Sequence, residues 1–192
     1  SISQNFDQKK LYLLVNTKGA VISVYEYLCS NRIYENMASI SNNEIKRVKS
    51  LQQKKFRDME GLFIAEGEKM LEEALKSGYQ VEHIYRKEEI GDEAMKRISA
   101  LSSPSPVLAV IRKPADVHLS DLSGLSDAMS DGGLYLALDS IRDPGNLGTI
   151  LRIADWFGVD AVFAAPDTVD VFNPKVVQST MGAIFRVKMH YV

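Results

Sequence analysis

Residues 134–158 read LYLALDSIRDPGNLGTILRIADWFG, and this stretch decides the fold. The apolar run Leu134 to Leu138 predicts a buried strand. Asp139 to Gly148 predicts a loop rich in turn residues, and Thr149 to Phe157 repeats apolar residues at helical spacing. A strand that delivers a Gly-rich loop onto a helix N-terminus is how open α/β sheets present backbone N–H groups to ligands. Gly145 and Gly148 do not fit G-x-G-x-x-G, which argues against a nicotinamide or flavin site. They flank Asn146 and, six residues on, Arg152.

Asp139, Asp143, Pro144, Asn146, Gly148, Arg152, Ala154 and Gly158 fall on the pattern D-x-x-x-D-P-x-N-x-G-x-x-x-R-x-A-x-x-x-G. This resembles motif 1 of the SpoU (TrmH-like) family of RNA ribose 2′-O-methyltransferases, in the knotted SPOUT superfamily. A second block, FNPKVVQSTMGAIFRV at 172–187, resembles motif 2, with Asn173, Pro174, Lys175, Val176, Val177, Gly182 and Ala183 on the pattern. Gln178, Ser179 and Thr180 replace the commoner Arg, Ala and Ser, and Thr180 keeps the hydroxyl.

The resemblance implies S-adenosylmethionine as methyl donor and RNA as acceptor, ribosomal RNA ahead of transfer RNA. It gives Arg152 the activating role toward the ribose hydroxyl. That hydroxyl is a weak acid, so it needs a base or a strongly stabilising environment. A guanidinium is ordinarily locked as a cation, and base and electrostatic stabiliser stay open as its roles. The plainer alternative is a surface arginine paired with Asp143 or Asp155. Asn146 is placed to cap the helix, to bind substrate, or both. Ser179 and Thr180 cap a helix end or contact RNA. Asp143, Pro144, Gly148 and Gly182 shape the loops.

The chain has 192 residues and is 45% hydrophobic and 25% charged, as expected of a globular protein. Its single cysteine, Cys29, excludes a disulfide framework and fits a reducing, cytoplasmic setting. His83, His118 and His190 lack metal-ligand spacing, so no metal is expected. No apolar run approaches the length of a membrane span, and no secretory signal is visible.

The net charge of −2 hides an asymmetry. Six basic residues and one acidic lie between Glu44 and Arg57, against five basic and ten Asp from Pro114 to Val192. Such a segment is an RNA footprint or simply a solvated helix face.

Residues 1–37 are expected to be an N-terminal extension, since MASISNNEIKRVKSL reads as a natural start; its apolar runs fit strands or a helix equally. A helix is predicted over Ser41 to Arg57, opened by a Ser41/Glu44 capping box. Strands follow at 62–67, 81–87 and 106–112, with helices at 68–77 and 93–101. That alternation over 38–113 makes a small α/β domain. With Lys54, Lys55 and Arg57, then E-G-x-F-x-x-E-G from Glu60 to Gly67, it resembles the ribosomal-protein-like substrate-binding domain of many SpoU enzymes. The resemblance turns the basic helix, through Lys54, Lys55 and Arg57, toward RNA phosphates.

Residues 114–133, rich in Asp, Ser, Gly and Pro, are expected to be a linker, and 134–192 the first part of a SPOUT domain with a parallel sheet. The third SpoU motif, which completes the knot and most of the cofactor pocket, has no counterpart in 183–192. The native protein is therefore expected to be longer. The family also implies a homodimer. A rival reading is a non-catalytic RNA-binding protein of the same fold.

Overall fold

The computed structural model describes residues 3–6, 9–15 and 21–23 as backbone strands, and residues 40–115 and 132–192 in full. Cys29, His118 and most of the expected linker lie outside the described residues. The chain divides into two compact units, Ser1–Ser39 and Ile40–Val192. In the first, β1 (Ser3–Phe6), β2 (Lys9–Val15) and β3 (Val21–Ser23) pair antiparallel, which decides for strands where periodicity had left the question open.

The second unit opens with two helices where one was expected. They are α1 (Asn42–Ser50) and α2 (Lys54–Glu60). Ser41 caps α1, its Oγ accepting from the Glu44 amide at 3.1 Å. Only half of the capping box forms. The Glu44 carboxylate accepts from the Tyr85 hydroxyl at 2.7 Å instead. Burial of Tyr85, reinforced by that bond, pushes its hydroxyl well above the usual phenol range.

Strands β4 (Leu62–Glu66), β5 (Val81–Arg86) and β6 (Val107–Arg112) form an antiparallel sheet in the order β4-β6-β5. Helix α3 (Glu68–Lys76) follows β4. The helix expected at 93–101 is α5 (Asp92–Ile98), and an unexpected single turn, α4 (Lys87–Ile90), precedes it. Every β4 side chain is buried because the sheet is covered on both faces. Leu62 and Ile64 pack with Ile45, Val48, Met95 and Ile98, whereas Phe63 and Ala65 face the other way.

That other face joins the second half of the unit. Strands β7 (Tyr135–Leu138), β8 (Ala161–Ala164) and β9 (Met189–Tyr191) form a parallel sheet in sequence order. Helix α6 (Pro144–Trp156) connects β7 to β8. Helix α7 (Pro174–Ser179) and a short 3-10 turn (Ala183–Phe185) lead to β9. This is the expected α/β architecture with a parallel sheet.

One core cluster runs through both sheets, from Phe63, Leu71 and Ile111 to Leu147, Val162, Phe172 and Val176. Phe63 stacks obliquely on Phe172 with ring centroids 4.8 Å apart, and Tyr79 meets Phe185 edge-on at 5.3 Å.

Candidate active site

Helix α6 starts at Pro144, five residues before the apolar pattern suggested. Asp143 is its cap, with Oδ1 accepting from the Asn146 amide at 2.8 Å, and Pro144 occupies the first helical position. Asn146 is therefore not the cap. It lies in the first turn with its side chain exposed and, among the described residues, unbonded.

Arg152 lies nearly two turns on, also exposed. Neither proposed carboxylate pairs with it. Asp143 is spent on the cap, and Asp155 accepts from Arg186 at 2.7 Å. Its hydrogen bonds to the Asp155 carboxylate raise the Arg186 guanidinium above its ordinary range, and Glu73 adds a second ion pair. Arg152 instead borders an open cavity of about 510 Å³ with Lys69, Thr149, Trp156, Met181 and Arg186. Trp156 is 84% exposed and Phe157 68%, which is unusual for side chains of that size.

The second motif packs directly on the first. Asn173 caps α7, its Oδ1 accepting from the Lys175 amide at 2.9 Å. Gly148 and Ser179 meet so closely that a Cβ on Gly148 would lie 2.6 Å from the Ser179 Cβ and 2.9 Å from its carbonyl carbon. The close approach that Gly148 permits is thus helix against helix. The Ser179 hydroxyl donates within this contact, to Val176 O at 2.9 Å and Pro144 O at 3.1 Å. Thr180 is buried, and its hydroxyl donates to Val177 O at 2.7 Å. Both hydroxyls thus take the helix-end alternative, each donating to a carbonyl of the preceding turn. Gly182 has φ 97°, a left-handed conformation that suits glycine at the turn.

The basic helix also needs correction. Arg57 is 1% exposed. Its guanidinium bonds Asp170 Oδ2 at 2.6 and 3.1 Å, Leu51 O at 3.0 Å and Gln52 O at 2.8 Å. It satisfies the carbonyls freed where α1 breaks from α2, so it cannot also face phosphates. Lys54 is exposed but paired with Asp58 at 2.5 Å, and Lys113 reaches the same carboxylate at 2.7 Å. Burial opposes ionisation of Asp58, yet the bonds from Lys113 and Lys54 hold it below the usual carboxylate range. Lys55, Lys46 and Lys49 are exposed and make no ion pair among the described residues.

The chain resembles known proteins in two regions. Residues 42–114 match the MRM3-like substrate binding domain, and residues 133–192 match the SpoU rRNA Methylase family. Residues 133–192 thus carry a SpoU-family methylase region. It is 31% identical over 164 residues to the 23S rRNA (guanosine(2553)-2'-O)-methyltransferase RlmP of Bacillus subtilis, covering 78% of this chain and 62% of that protein. It is 32% identical to the human mitochondrial rRNA methyltransferase 3, over 68% of this chain and 35% of that one. The fold matches a TrmH-family putative RNA methyltransferase from Porphyromonas gingivalis with a TM-score of 0.67 at 36% identity, over 81% of this chain and 64% of that chain. An AdoMet-bound rRNA methyltransferase from Sinorhizobium meliloti gives 0.70 at 29% identity, over 80% and 62%. The chain thus spans under two thirds of the length of these SpoU relatives.

Two residues of this arrangement escaped the sequence reading. Lys69 comes from the substrate-binding segment yet lines the Arg152 cavity. Asp170, in the loop before motif 2, holds Arg57. Neither stands out in a periodicity or a motif, because each gains its role from a partner far along the chain.

Proposed function

We propose that this chain is the RNA-engaging part of an S-adenosylmethionine-dependent methyltransferase that modifies a ribose 2′-hydroxyl of ribosomal RNA. The carrying observation is Arg152, exposed and without a carboxylate partner among the described residues, at a cavity built from motif 1. S-adenosylmethionine supplies an electrophilic methyl when bound. Thr168, whose buried hydroxyl lacks a partner among the described residues, lies outside the Arg152 cavity.

The chain's own residues supply the acceptor half. A guanidinium beside the ribose stabilises charge that develops on oxygen as the hydroxyl loses its proton. Asn146, with its amide free, orients the ribose or its neighbour. Lys46, Lys49 and Lys55 hold phosphates, which gives affinity with little sequence choice. The reading includes a homodimer. It is supported by the exposed apolar surface of Trp156, Phe157, Ile153 and Met181. Its setting is the cytoplasm, in keeping with the single cysteine.

The test is transfer of labelled methyl from S-adenosylmethionine to ribosomal RNA by the complete protein, mapped as resistance to alkaline cleavage. A resistant ribose, lost with Arg152→Ala, is expected. Labelling on a base would overturn the reading. Sedimentation at micromolar concentration reads the dimer, which Trp156→Ser should weaken.

A further inference from the structure

We infer that Lys69 is a phosphate-binding residue of the reaction cavity, contributed by the substrate-binding segment to the face that carries Arg152. The inference rests on the RNA methyltransferase reading and identifies how the acceptor strand is held there.

Three cations border the cavity: Lys69, Arg152 and Arg186. Arg186 is neutralised by Asp155 and Glu73. Lys69 and Arg152 have no carboxylate within ion-pair distance among the described residues. The acidic neighbours of Lys69 on its own helix are engaged elsewhere, Glu68 with Arg86, Glu72 with Lys76 and Glu73 with Arg186. Two uncompensated positive charges at one concavity are the complement of a polyanion.

Helix stability does not explain Lys69. It lies in the first turn of α3, where the helix dipole is positive and a lysine is unfavourable. The same dipole adds to the attraction for an anion placed there. The polar and cationic lining of the cavity suits a ribose-phosphate chain. With Arg152 at the ribose, an adjacent phosphate falls to Lys69. The substrate-binding segment is then more than a remote grip, because it supplies one wall of the reaction cavity.

The experiment is a salt titration of this protein with an in vitro transcript of 23S rRNA. Lys69→Met should lower the slope of log affinity against log salt by about 0.7–0.9 and weaken binding roughly fivefold at about 0.1 M salt, the effect of one lost phosphate contact. Lys69→Arg should restore both. Lys76→Met, on the same helix but paired with Glu72, should change neither. An unchanged slope in Lys69→Met, or an equal loss in Lys76→Met, overturns the assignment. If either comes with binding that still depends on Lys46, Lys49 and Lys55, the RNA reading survives. Absence of RNA binding by the unmodified protein overturns both.

Discussion

Arg57 and Asp170, 113 positions apart in sequence, meet in a buried ion pair with Nη2 and Oδ2 2.6 Å apart. The other Asp170 oxygen accepts from the Phe172 amide at 3.1 Å, two residues before Pro174 opens α7. One side chain thus ties the break between α1 and α2 to the loop that carries motif 2. A buried pair of this kind is costly to halve, because the remaining charge is left without a partner.

Arg57→Met should therefore destabilise the fold by about 3–5 kcal/mol in urea denaturation. RNA affinity per folded molecule should stay at the unmodified level. A selective loss of affinity with unchanged stability would return Arg57 to the RNA-facing set.

The surface lysines should behave in the opposite way. Charge reversal of Lys46, Lys49 and Lys55 to Glu should leave the urea midpoint nearly unchanged and weaken RNA binding strongly at low salt. Lys55→Ala should cost more affinity than Lys54→Ala, since Lys54 is already paired with Asp58. Filter binding across a salt series distinguishes these variants.

Gly148→Ala should lower the melting temperature, with about 1–3 kcal/mol lost to overpacking. Ser179→Ala added to it should recover only part, because the Ser179 backbone carbon would still lie 2.9 Å from the new methyl. Full recovery would mean that the side chain alone sets the helix spacing.

Asp58 predicts an acid limb in stability. Its folded carboxyl titrates below the ordinary range, so its contribution is present above the unfolded pKa of about 4 and is lost as pH falls through the lower folded value. Asp58→Asn should flatten the curve of melting temperature against pH in that acidic window and leave its shape near neutrality unaltered. Parallel curves for both proteins would show the Lys54–Asp58–Lys113 cluster to be energetically idle.

Much of the site could be read from sequence where it depended on neighbours in the chain. The spacing of Asp143, Pro144, Asn146, Gly148 and Arg152 announced the family. It misplaced the start of α6 only because Pro144 and Gly145 look like loop residues until Asp143 is seen as the cap. The break between α1 and α2 carries no Gly or Pro. It is held by Arg57 and by Gln52, whose amide donates to Ile98 O and Ser99 O. Such partners cannot be inferred from one sequence, and a buried arginine looks the same in a sequence as an RNA-facing one. The two alternatives for Ser179 and Thr180 stayed open for the same reason, as a hydroxyl shows its acceptor only once the chain is folded.

The aromatic contacts of Phe63 with Phe172 and of Tyr79 with Phe185 have an evolutionary corollary. They fuse the antiparallel sheet to the parallel one through a common interior, so the substrate-binding segment is not a detachable cartridge. Recombination that replaced it with the corresponding segment of a distant relative would inherit mismatched ring shapes at the seam. New target preference in this lineage should therefore arise by drift at surface lysines and at the cavity rim, with the seam handed down intact.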